Sequence, residues 1–435
     1  MNVRTMLGTA KADITPPEPL PLAGFGSRTG SFEGVAQRLA LRVFLFKQEG
    51  EHPSDKRMML LAEADILQWP SDKSAEWSRT IQERWGIERD AVILQASHTH
   101  GAPQTGTNCL PIVGQYAPTF VELLETSLFA SIMHAFANLV PVSAEIGRGE
   151  CGIGIHRRRM HGGHIEMLPN HDTPIDREVT VIRFRTEEGS TKAVLFHYTC
   201  HPTSSAENLV TADYPGAAME AVEASLGEGV IAGFMQGCCG DIRPALIAGD
   251  RFRPGTDQDS RRLGHELAAE VLRILESPME KLAFVPIEAT GVDLELPFQY
   301  LPAAGELANL QEDIGVDGDW SRHLLANPEL LQPAMPFRIT LVHLADRLSF
   351  MAMGGEMVNA YGEAIKRLSG GTALPLAYSN GLIGYVPTAS QIREGGYEAA
   401  GSVKYFGLPA PFAEAAEGNL TEGIAGLLET AGRRP

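Results

Sequence analysis

The sequence predicts an α/β fold, and three observations support this class. Short apolar runs rich in β-branched residues alternate with longer segments that carry apolar residues at helical spacing. One helical segment, residues 214–227, has proline near its start and glycine at its end, as helices often do. Polar side chains that could bind a ligand follow four of the apolar runs. Repeated strand-then-helix order is typical of the α/β class.

The predicted elements alternate regularly from residue 91 onward. The run "AVILQA" is predicted to be a buried strand, and the first long helix begins after Pro118. Two proline-rich loops, 298–303 and 327–337, flank polar segments that could form a lid or an insertion. In chain order the predictions are strand 91–96, helix 119–139, strand 192–199, helix 214–227, strand 229–236, helix 260–276, strand 347–355 and helix 356–369.

The composition narrows the possible partners and compartment. The chain has 435 residues, of which 44% are hydrophobic and 21% charged, enough apolar material for a large core. A formal net charge of −18 argues against nucleic acid or an anionic membrane surface as the main partner. The first residues lack a signal peptide's apolar run, and no run of about 18 apolar residues predicts a membrane span. Five cysteines without a CxxC pair favour reduced thiols, so we expect a cytoplasmic protein.

Four polar residues stand at the ends of four predicted strands. His98 follows strand 91–96, and His201 follows strand 192–199; Asp241 and Glu356 follow the other two. Ligands of open α/β sheets bind at the carboxyl ends of the strands. We therefore expect these side chains to converge on one site.

The residue types at these strand ends are those of a catalytic zinc site. In extended backbone, residues i and i+2 face the same side, so His98 and His100 can line one cavity. Such a pair alone is more often solvated or bonded within the core, and Glu356 alone could be a carboxylate favoured at a helix start. Together with His201, however, two imidazoles and a carboxylate that leave one position open match catalytic zinc.

Seven motifs in the same order along the chain resemble the catalytic domain of the neutral/alkaline ceramidases, zinc amidases that cleave the N-acyl bond of ceramide. In the family, a short segment carries an active-site arginine, which falls here on Arg157, and a strand follows it, here residues 176–184. Two tyrosines of the last motif keep the family's spacing of twelve. The motifs are "GTAKADITPP" with "LAGFGSR" (22–28), "LQASHTHGAP", "GIHRRRM" (154–160), "DREVTVIRF" (176–184), "CHPTSSAENLVTADYPG", "GGEMVNAYG" and "SNGLIGYVPTASQIREGGYEAAGS" (379–402).

The resemblance implies a fold, a cofactor and a role for each matching residue. The fold would be a mixed β-sheet core with flanking helices, forming one catalytic domain over 1–435 without the family's C-terminal β-rich domain. Zinc would be the cofactor, and a glycine turn would line the site. The implied zinc ligands are His98, His201, Glu356 and Tyr385. The implied residues facing the substrate are His100, Arg157 and Tyr397, with the turn glycines Gly24 and Gly26.

The chain departs from the family at one position. Where the family has Gly-Asp-Val-Ser-Pro, with a serine assigned a part in catalysis, this chain has "GDIRP" and Arg243. A guanidinium is a permanent cation and no nucleophile, so the attacking group is expected to be water activated by zinc. Asp241 would then orient that water or a ligand histidine, or else give only structural support.

Arg243 also bears on the substrate. A guanidinium aimed into the site would favour a small substrate that carries a carboxylate or phosphate, which ceramide lacks. Alternatively, Arg243 forms an ion pair with a carboxylate outside the site. The sequence therefore predicts a zinc amidohydrolase acting on a small polar, anionic molecule. An esterase or lactonase, a phosphoesterase and a non-catalytic ligand-binding homologue stay open, as does the oligomeric state.

Overall fold

The computed structural model describes residues 3–49 and 57–432. The strands are β1 Thr5–Asp13, β2 Gly34–Val35, β3 Ala40–Gln48, β4 Arg57–Ala64, β5 Val92–Ala96, β6 Val140–Glu150, β7 Gly154–His161, β8 His164–Asn170, β9 Glu178–Thr186, β10 Thr191–Tyr198, β11 Leu209–Val210, β12 Ile231–Gln236, β13 Ile242–Pro244, β14 Ile247–Ala248, β15 Arg251–Phe252, β16 Glu280–Leu282, β17 Phe284–Pro297, β18 Ala334–Ala345, β19 Leu348–Met353, β20 Glu356–Met357, β21 Ala373–Leu376 and β22 Tyr385–Val386. The α-helices are α1 Ser71–Trp85, α2 Pro118–Ala137, α3 Asp213–Leu226, α4 Asp257–Glu276, α5 Ala304–Leu310, α6 Val316–Ala326, α7 Asn359–Leu368, α8 Ala389–Glu394 and α9 Ala415–Gly432.

The largest sheet is mixed, as the resemblance implied. Its strand order is β12-β10-β9-β6-β1-β3-β4-β5, with β16 paired to β6. The two outermost pairs, β10 with β12 and β4 with β5, are parallel, and the pairs between them are antiparallel. The residues that follow β5 and β10 meet in space, since Nε2 of His98 lies 3.1 Å from Nε2 of His201.

A second, four-stranded sheet packs face to face against the first. Its order is β17-β18-β19-β21, and an apolar core lies between the two sheets. In β3, Phe44 and Phe46 enter this core, whereas Leu41 and Val43 face the helices on the other side. Helices α2, α3 and α4 cover the large sheet, and α7 and α9 cover the small one. The layers are therefore α/β/β/α, which confirms the α/β class.

The structure confirms the eight predicted elements and moves their ends by up to three residues. The predicted helix 356–369 begins only at Asn359, because Glu356 and Met357 pair with Tyr385 and Val386 as short parallel strands. The predicted loop 327–337 is partly a strand, since β18 begins at Ala334. Between the two proline-rich loops lies an insertion of two helices, α5 and α6, with its own small apolar core.

One helix within the described residues, α2, is long and apolar enough to cross a membrane by length and composition alone, with a mean hydropathy of 1.3. Its buried side chains, including Phe120, Leu124 and Leu128, pack toward β1 and β3. The helix approaches β1 so closely that a Cβ at Gly8 would lie 1.9 Å from the carbonyl oxygen of Ala135. In this fold, α2 therefore packs on the large sheet.

The edge strands β5 and β12 are joined at their carboxyl ends by residues 377–380. The amide of Ala377 donates to the carbonyl of Gln236 at 3.2 Å, and the amide of Ala96 donates to the carbonyl of Tyr378 at 3.1 Å. The side-chain amide of Gln95 spans the same gap, donating to the carbonyls of Gln236 and Ala377. This link brings the residues that follow two distant edge strands to one place.

Candidate metal centre

His98 occupies an unusual backbone position directly after β5. Its φ is 67°, in the left-handed region that residues other than glycine rarely adopt. The amide of His98 donates to the carbonyl of Ile66 at 3.0 Å, and Nδ1 lies 2.7 Å from the carbonyl oxygen of Leu67. Because a carbonyl can only accept, Nδ1 carries a proton, and Nε2 is the nitrogen left to bind a ligand.

His201 is held in the same way after β10. Its Nδ1 donates to the carbonyl of Cys239 at 3.0 Å, which again leaves Nε2 with the lone pair. Burial lowers the pKa of His201 to about 4; Glu356 opposes this shift, and the charge of Arg157 adds to it. At neutral pH the imidazole is therefore uncharged, the form in which histidine binds metal.

The loop after His201 is stiffened by Asp213, the first residue of α3. Its carboxylate accepts hydrogen bonds from the amides of Ser204 and Ser205 at 3.0 and 3.3 Å. Asp213 is buried and has a φ of 55°, the second strained position near the site. These contacts tie the loop to the start of the helix and limit the movement of His201.

Glu356 completes a convergent set of three electron-pair donors. Its Oε2 lies 3.4 Å from Nε2 of His98 and 3.3 Å from Nε2 of His201, and the two nitrogens are 3.1 Å apart. All three side chains are buried. Two lone pairs and a carboxylate oxygen at these distances repel one another unless a cation lies between them.

This donor set fits zinc, because imidazole nitrogen and carboxylate oxygen are common zinc ligands. Tyr385, the fourth implied ligand, is paired in register with Glu356 through β20 and β22, and its ring stacks at 6.4 Å on that of His201. The two carbonyls that orient the histidines are the supporting hydrogen bonds typical of metal-binding imidazoles.

His100 lies beside the set and has no hydrogen-bond partner among the described residues. Both of its ring nitrogens are buried, and the three histidines have candidate ligand atoms within 4.8 Å of one another. Burial, reinforced by His98 and His201, lowers the pKa of His100 well below its ordinary value. His100 is thus a neutral imidazole free either to contact a substrate oxygen or to join the metal ligands.

The glycine turn packs directly on His100. Gly24 has a φ of 91°, and a Cβ there would lie 2.3 Å from Nδ1 of His100, so only glycine fits. Gly26 is farther out, where a Cβ would meet Ile112 at 3.6 Å. The ring of Phe25 between them lies 4.7 Å from the imidazole of His100.

Arg157 is locked in place by groups on both sides. Its Nη2 donates to the hydroxyl oxygen of Tyr385 at 3.0 Å, and its Nε donates to Glu398 at 2.8 Å. Its guanidinium lies 5.7 Å from the ring centre of Tyr397, which meets the ring of Tyr385 edge-on at 5.4 Å. Arg158 binds the second oxygen of Glu398 at 2.8 Å. Sequence reasoning missed Glu398, although it directly follows Tyr397 in a π-helical turn, a form often found at functional sites.

Asp241 contacts none of the proposed zinc ligands in the described structure. Its buried carboxylate accepts from the amide of Asn359 and from the side chain of Gln391, both at 2.8 Å. Nε2 of His156 lies 3.4 Å away. Asp241 therefore ties β13 to the starts of α7 and α8, and its geometry matches the structural alternative.

Arg243 forms no ion pair with any carboxylate of residues 3–49 and 57–432, so the ion-pair alternative is not what the structure shows. Its guanidinium lies 4.4 Å from the ring centre of Phe252, and Nη1 is 3.7 Å from the sulfur of Met167. Its Nε is buried without a partner in that part of the chain. Burial and the nearby charge of Arg157 lower the pKa of Arg243 to about 10. Arg243 is thus a half-buried cation that has no counterion among the described residues.

The cavity at the candidate centre is small, with a volume of about 30 Å³. Sequence reasoning missed the apolar and aromatic part of its wall, which has no motif signal because it comes from separate loops. The lining residues are Gly24, Leu67, His98, His100, Cys109, Val113, Glu356, Leu382, Tyr385, Tyr397, Tyr405 and Phe406.

The chain belongs to the neutral/alkaline non-lysosomal ceramidase family, whose N-terminal model matches residues 6–259. That match includes His98 and His201 and ends before Glu356 and Tyr385. Among curated relatives, the neutral ceramidase of Mycobacterium tuberculosis is 24% identical over 263 residues, covering 55% of this chain and 40% of that protein. The neutral ceramidase of Drosophila melanogaster is 24% identical over 261 residues, covering 55% of this chain and 36% of that protein. The matched region thus spans less than half of either relative.

Solved structures extend the similarity of fold to almost the whole chain. The neutral ceramidase from Pseudomonas aeruginosa superimposes with a TM-score of 0.74 at 16% identity, covering 99% of this chain and 75% of that chain. A structure described as a ceramidase complexed with C2 gives a TM-score of 0.75 at 16% identity, covering 98% of this chain and 76% of that chain. At this identity the comparison shows a common fold.

Proposed function

We propose that this chain is a zinc-dependent hydrolase that cleaves an amide bond of a small polar substrate. The observation that carries the proposal is the convergence of two imidazole Nε2 atoms and one carboxylate oxygen within 3.4 Å of one another. The ceramidase names of the relatives support amide hydrolysis as the reaction. His98, His201, Glu356 and Tyr385 would hold the zinc, which when bound polarises a carbonyl and lowers the pKa of a water.

The chain's own residues would position the substrate and stabilise developing charge. Arg157 is fixed by Glu398 on one side and Tyr385 on the other, so its guanidinium needs little rearrangement to face an oxyanion. His100 offers a ring nitrogen with no competing partner in the described chain, and Tyr397 adds a hydroxyl to the cavity wall. Loss of one such donor typically lowers kcat by about a hundredfold to a thousandfold.

The size of the cavity favours a small group over a fatty acyl chain. Only about 30 Å³ of the cavity is open to the centre of a water-sized sphere, which favours a short acyl group beside the proposed ligands. The wall formed by Tyr405 and Phe406 is supported from outside by the inserted helices, because the indole of Trp320 donates to the carbonyl of Leu408 at 2.7 Å. We therefore propose acetyl-sized acyl groups as the preferred substrates.

Arg243 supports an anionic group on the same substrate. A half-buried guanidinium that has no carboxylate partner among the described residues can bind a carboxylate or phosphate through two parallel hydrogen bonds. The charge of Arg157 lowers the pKa of Arg243, which supports a position of Arg243 close to the proposed catalytic residues. The proposed substrate is thus a small N-acyl compound with an acidic group.

Metal content and turnover test the proposal together. The purified chain should hold about one zinc per molecule and hydrolyse short N-acyl amides in a chelator-sensitive way. His98→Ala and His201→Ala should lose the zinc, whereas His343→Ala, which alters a histidine bonded to Ser349 away from the site, should keep it. A chain without stoichiometric metal, and without chelator-sensitive turnover of amides, esters, lactones or phosphoesters, would contradict the proposal.

A matched pair of substrates tests the anionic part. Arg243→Gln should lower kcat/KM for an N-acetylamino acid by about tenfold to a hundredfold, as expected for a lost charged hydrogen bond. The same variant should leave the corresponding N-acetylamino acid amide almost unchanged. Arg159→Gln, a change at an arginine that donates to the carbonyl of Pro169, serves as the control. Equal losses on both substrates would argue against a role of Arg243 in recognising an anion.

A further inference from the structure

We infer that Tyr378 is the positioning residue that holds the three convergent donors in their common geometry. The inference rests on the proposed zinc site and assigns a role to a residue outside the cavity wall. Tyr378 is fully buried between the edge strands, in the segment 377–380 that joins them.

The ring and the backbone of Tyr378 both act on His98. The phenol ring stacks on the imidazole, with ring centres 4.1 Å apart and planes inclined by 27°. The carbonyl of Tyr378 accepts a hydrogen bond from the amide of Ala96, two residues before His98, at 3.1 Å. The stack limits rotation of the imidazole about its side chain, while the backbone bond fixes the end of β5. Together they determine where Nε2 points.

The same residue reaches the supports of the other two donors. The amide of Tyr378 donates to the carbonyl of Gly355, the residue before Glu356, at 3.3 Å. The hydroxyl of Tyr378 lies 3.1 Å from the sulfur of Cys239. The carbonyl of Cys239 in turn accepts the hydrogen bond that orients the ring of His201. One side chain and its peptide groups therefore connect three donors that are far apart in sequence.

The backbone of this segment is strained in a way that fits such a role. Tyr378 has a φ of 57° and Asn380 a φ of 60°, and neither is glycine. The side chain of Asn380 fastens the strained segment to β5, since Oδ1 accepts from the amide of Leu94 at 2.8 Å and Nδ2 donates to the carbonyl of Val92 at 3.2 Å. Strained conformations persist where surrounding contacts enforce them, and they cluster at functional sites.

Two variants separate the ring of Tyr378 from its hydroxyl. Tyr378→Leu removes the stack, and we expect the zinc affinity, measured by competition with a chelator, to fall by about tenfold to a hundredfold. Tyr378→Phe keeps the stack and should recover most of that affinity. It should still shift the visible absorption bands of the cobalt-substituted protein, because the contact with Cys239 is lost. Tyr198→Phe removes another buried hydroxyl, one that donates to the carbonyl of Cys151, and should change neither measurement.

The outcomes distinguish this inference from the proposed function. The unaltered chain could bind zinc while Tyr378→Phe and a folded Tyr378→Leu change neither the zinc affinity nor the cobalt spectrum. That result would overturn the positioning role alone. An equal loss of affinity in Tyr198→Phe would also overturn it, since a general loss of packing would then explain the effect. If the unaltered chain binds neither zinc nor cobalt, the proposed function fails and this inference fails with it.

Discussion

Replacing Asp241 tests whether this carboxylate supports the fold or takes part in the chemistry. The buried side chain accepts two hydrogen bonds of 2.8 Å, from the amide of Asn359 and the side chain of Gln391. A hydrogen bond to a charged group contributes about 1.5–3 kcal/mol. Asp241→Ala should therefore lower the free energy of unfolding by about 3–6 kcal/mol. Asp241→Asn has one acceptor oxygen instead of two and should lose about half as much.

The pH dependence of the same variants gives an independent check. Burial raises the pKa of Asp241, but the contact with His156 and the hydrogen bonds from Asn359 and Gln391 outweigh it, so the pKa lies below its ordinary value. A carboxyl with a lowered pKa in the folded state stabilises the protein above its unfolded value of about 3.9 and loses that effect as the pH falls. The difference in the free energy of unfolding between the unaltered chain and Asp241→Asn should thus have its full value at pH 7 and shrink below about pH 4.

The assay is urea unfolding, monitored by fluorescence. Zinc content and kcat are measured on the folded fraction. Asp250→Ala, a change at an exposed aspartate a few residues away, is the control and should lie within about 0.5 kcal/mol of the unaltered chain. A loss of less than about 1 kcal/mol for Asp241→Ala would refute the structural reasoning. Retained stability together with a collapse of kcat would instead assign Asp241 to the chemistry.

Three further changes test other parts of the structure. Gly24→Ala would place a Cβ 2.3 Å from Nδ1 of His100, so kcat/KM should fall at least about tenfold, and unchanged kinetics would contradict that packing. Burial and Asp65 raise the pKa of Glu63 to about 8, so the protonated form stabilises the fold and that effect is lost as the pH rises. In urea titrations, Glu63→Gln should therefore gain stability relative to the unaltered chain between about pH 5 and 8. A difference that does not depend on pH would count against the raised pKa. Phe406→Ala should enlarge the cavity, so that butyryl and hexanoyl amides gain turnover relative to acetyl amides; an unchanged chain-length profile would show that another wall limits the acyl group.

Much of the fold and part of the candidate site can be predicted from the sequence for a local reason. Apolar runs and helical spacing determine which segments form strands and helices, and a strand's end determines which residues emerge beside it. This is why His98, His201 and Glu356 could be proposed as one set from three separate runs. The start of α7 was placed wrongly because Glu356 pairs with Tyr385, a contact between residues 29 positions apart that no local pattern reports.

The amino-acid sequence by itself determined the α/β class, the strand ends that carry the donors, and the absence of the family's serine at Arg243. Only the tertiary structure decided which ring nitrogens face the centre, because the carbonyls of Leu67 and Cys239 that bind the opposite nitrogens arrive from other elements. It likewise left the Nε of Arg243 without a partner among the described residues and brought Tyr378 against His98. Hydrogen bonds and stacking depend on positions in space, which separations along the chain do not encode.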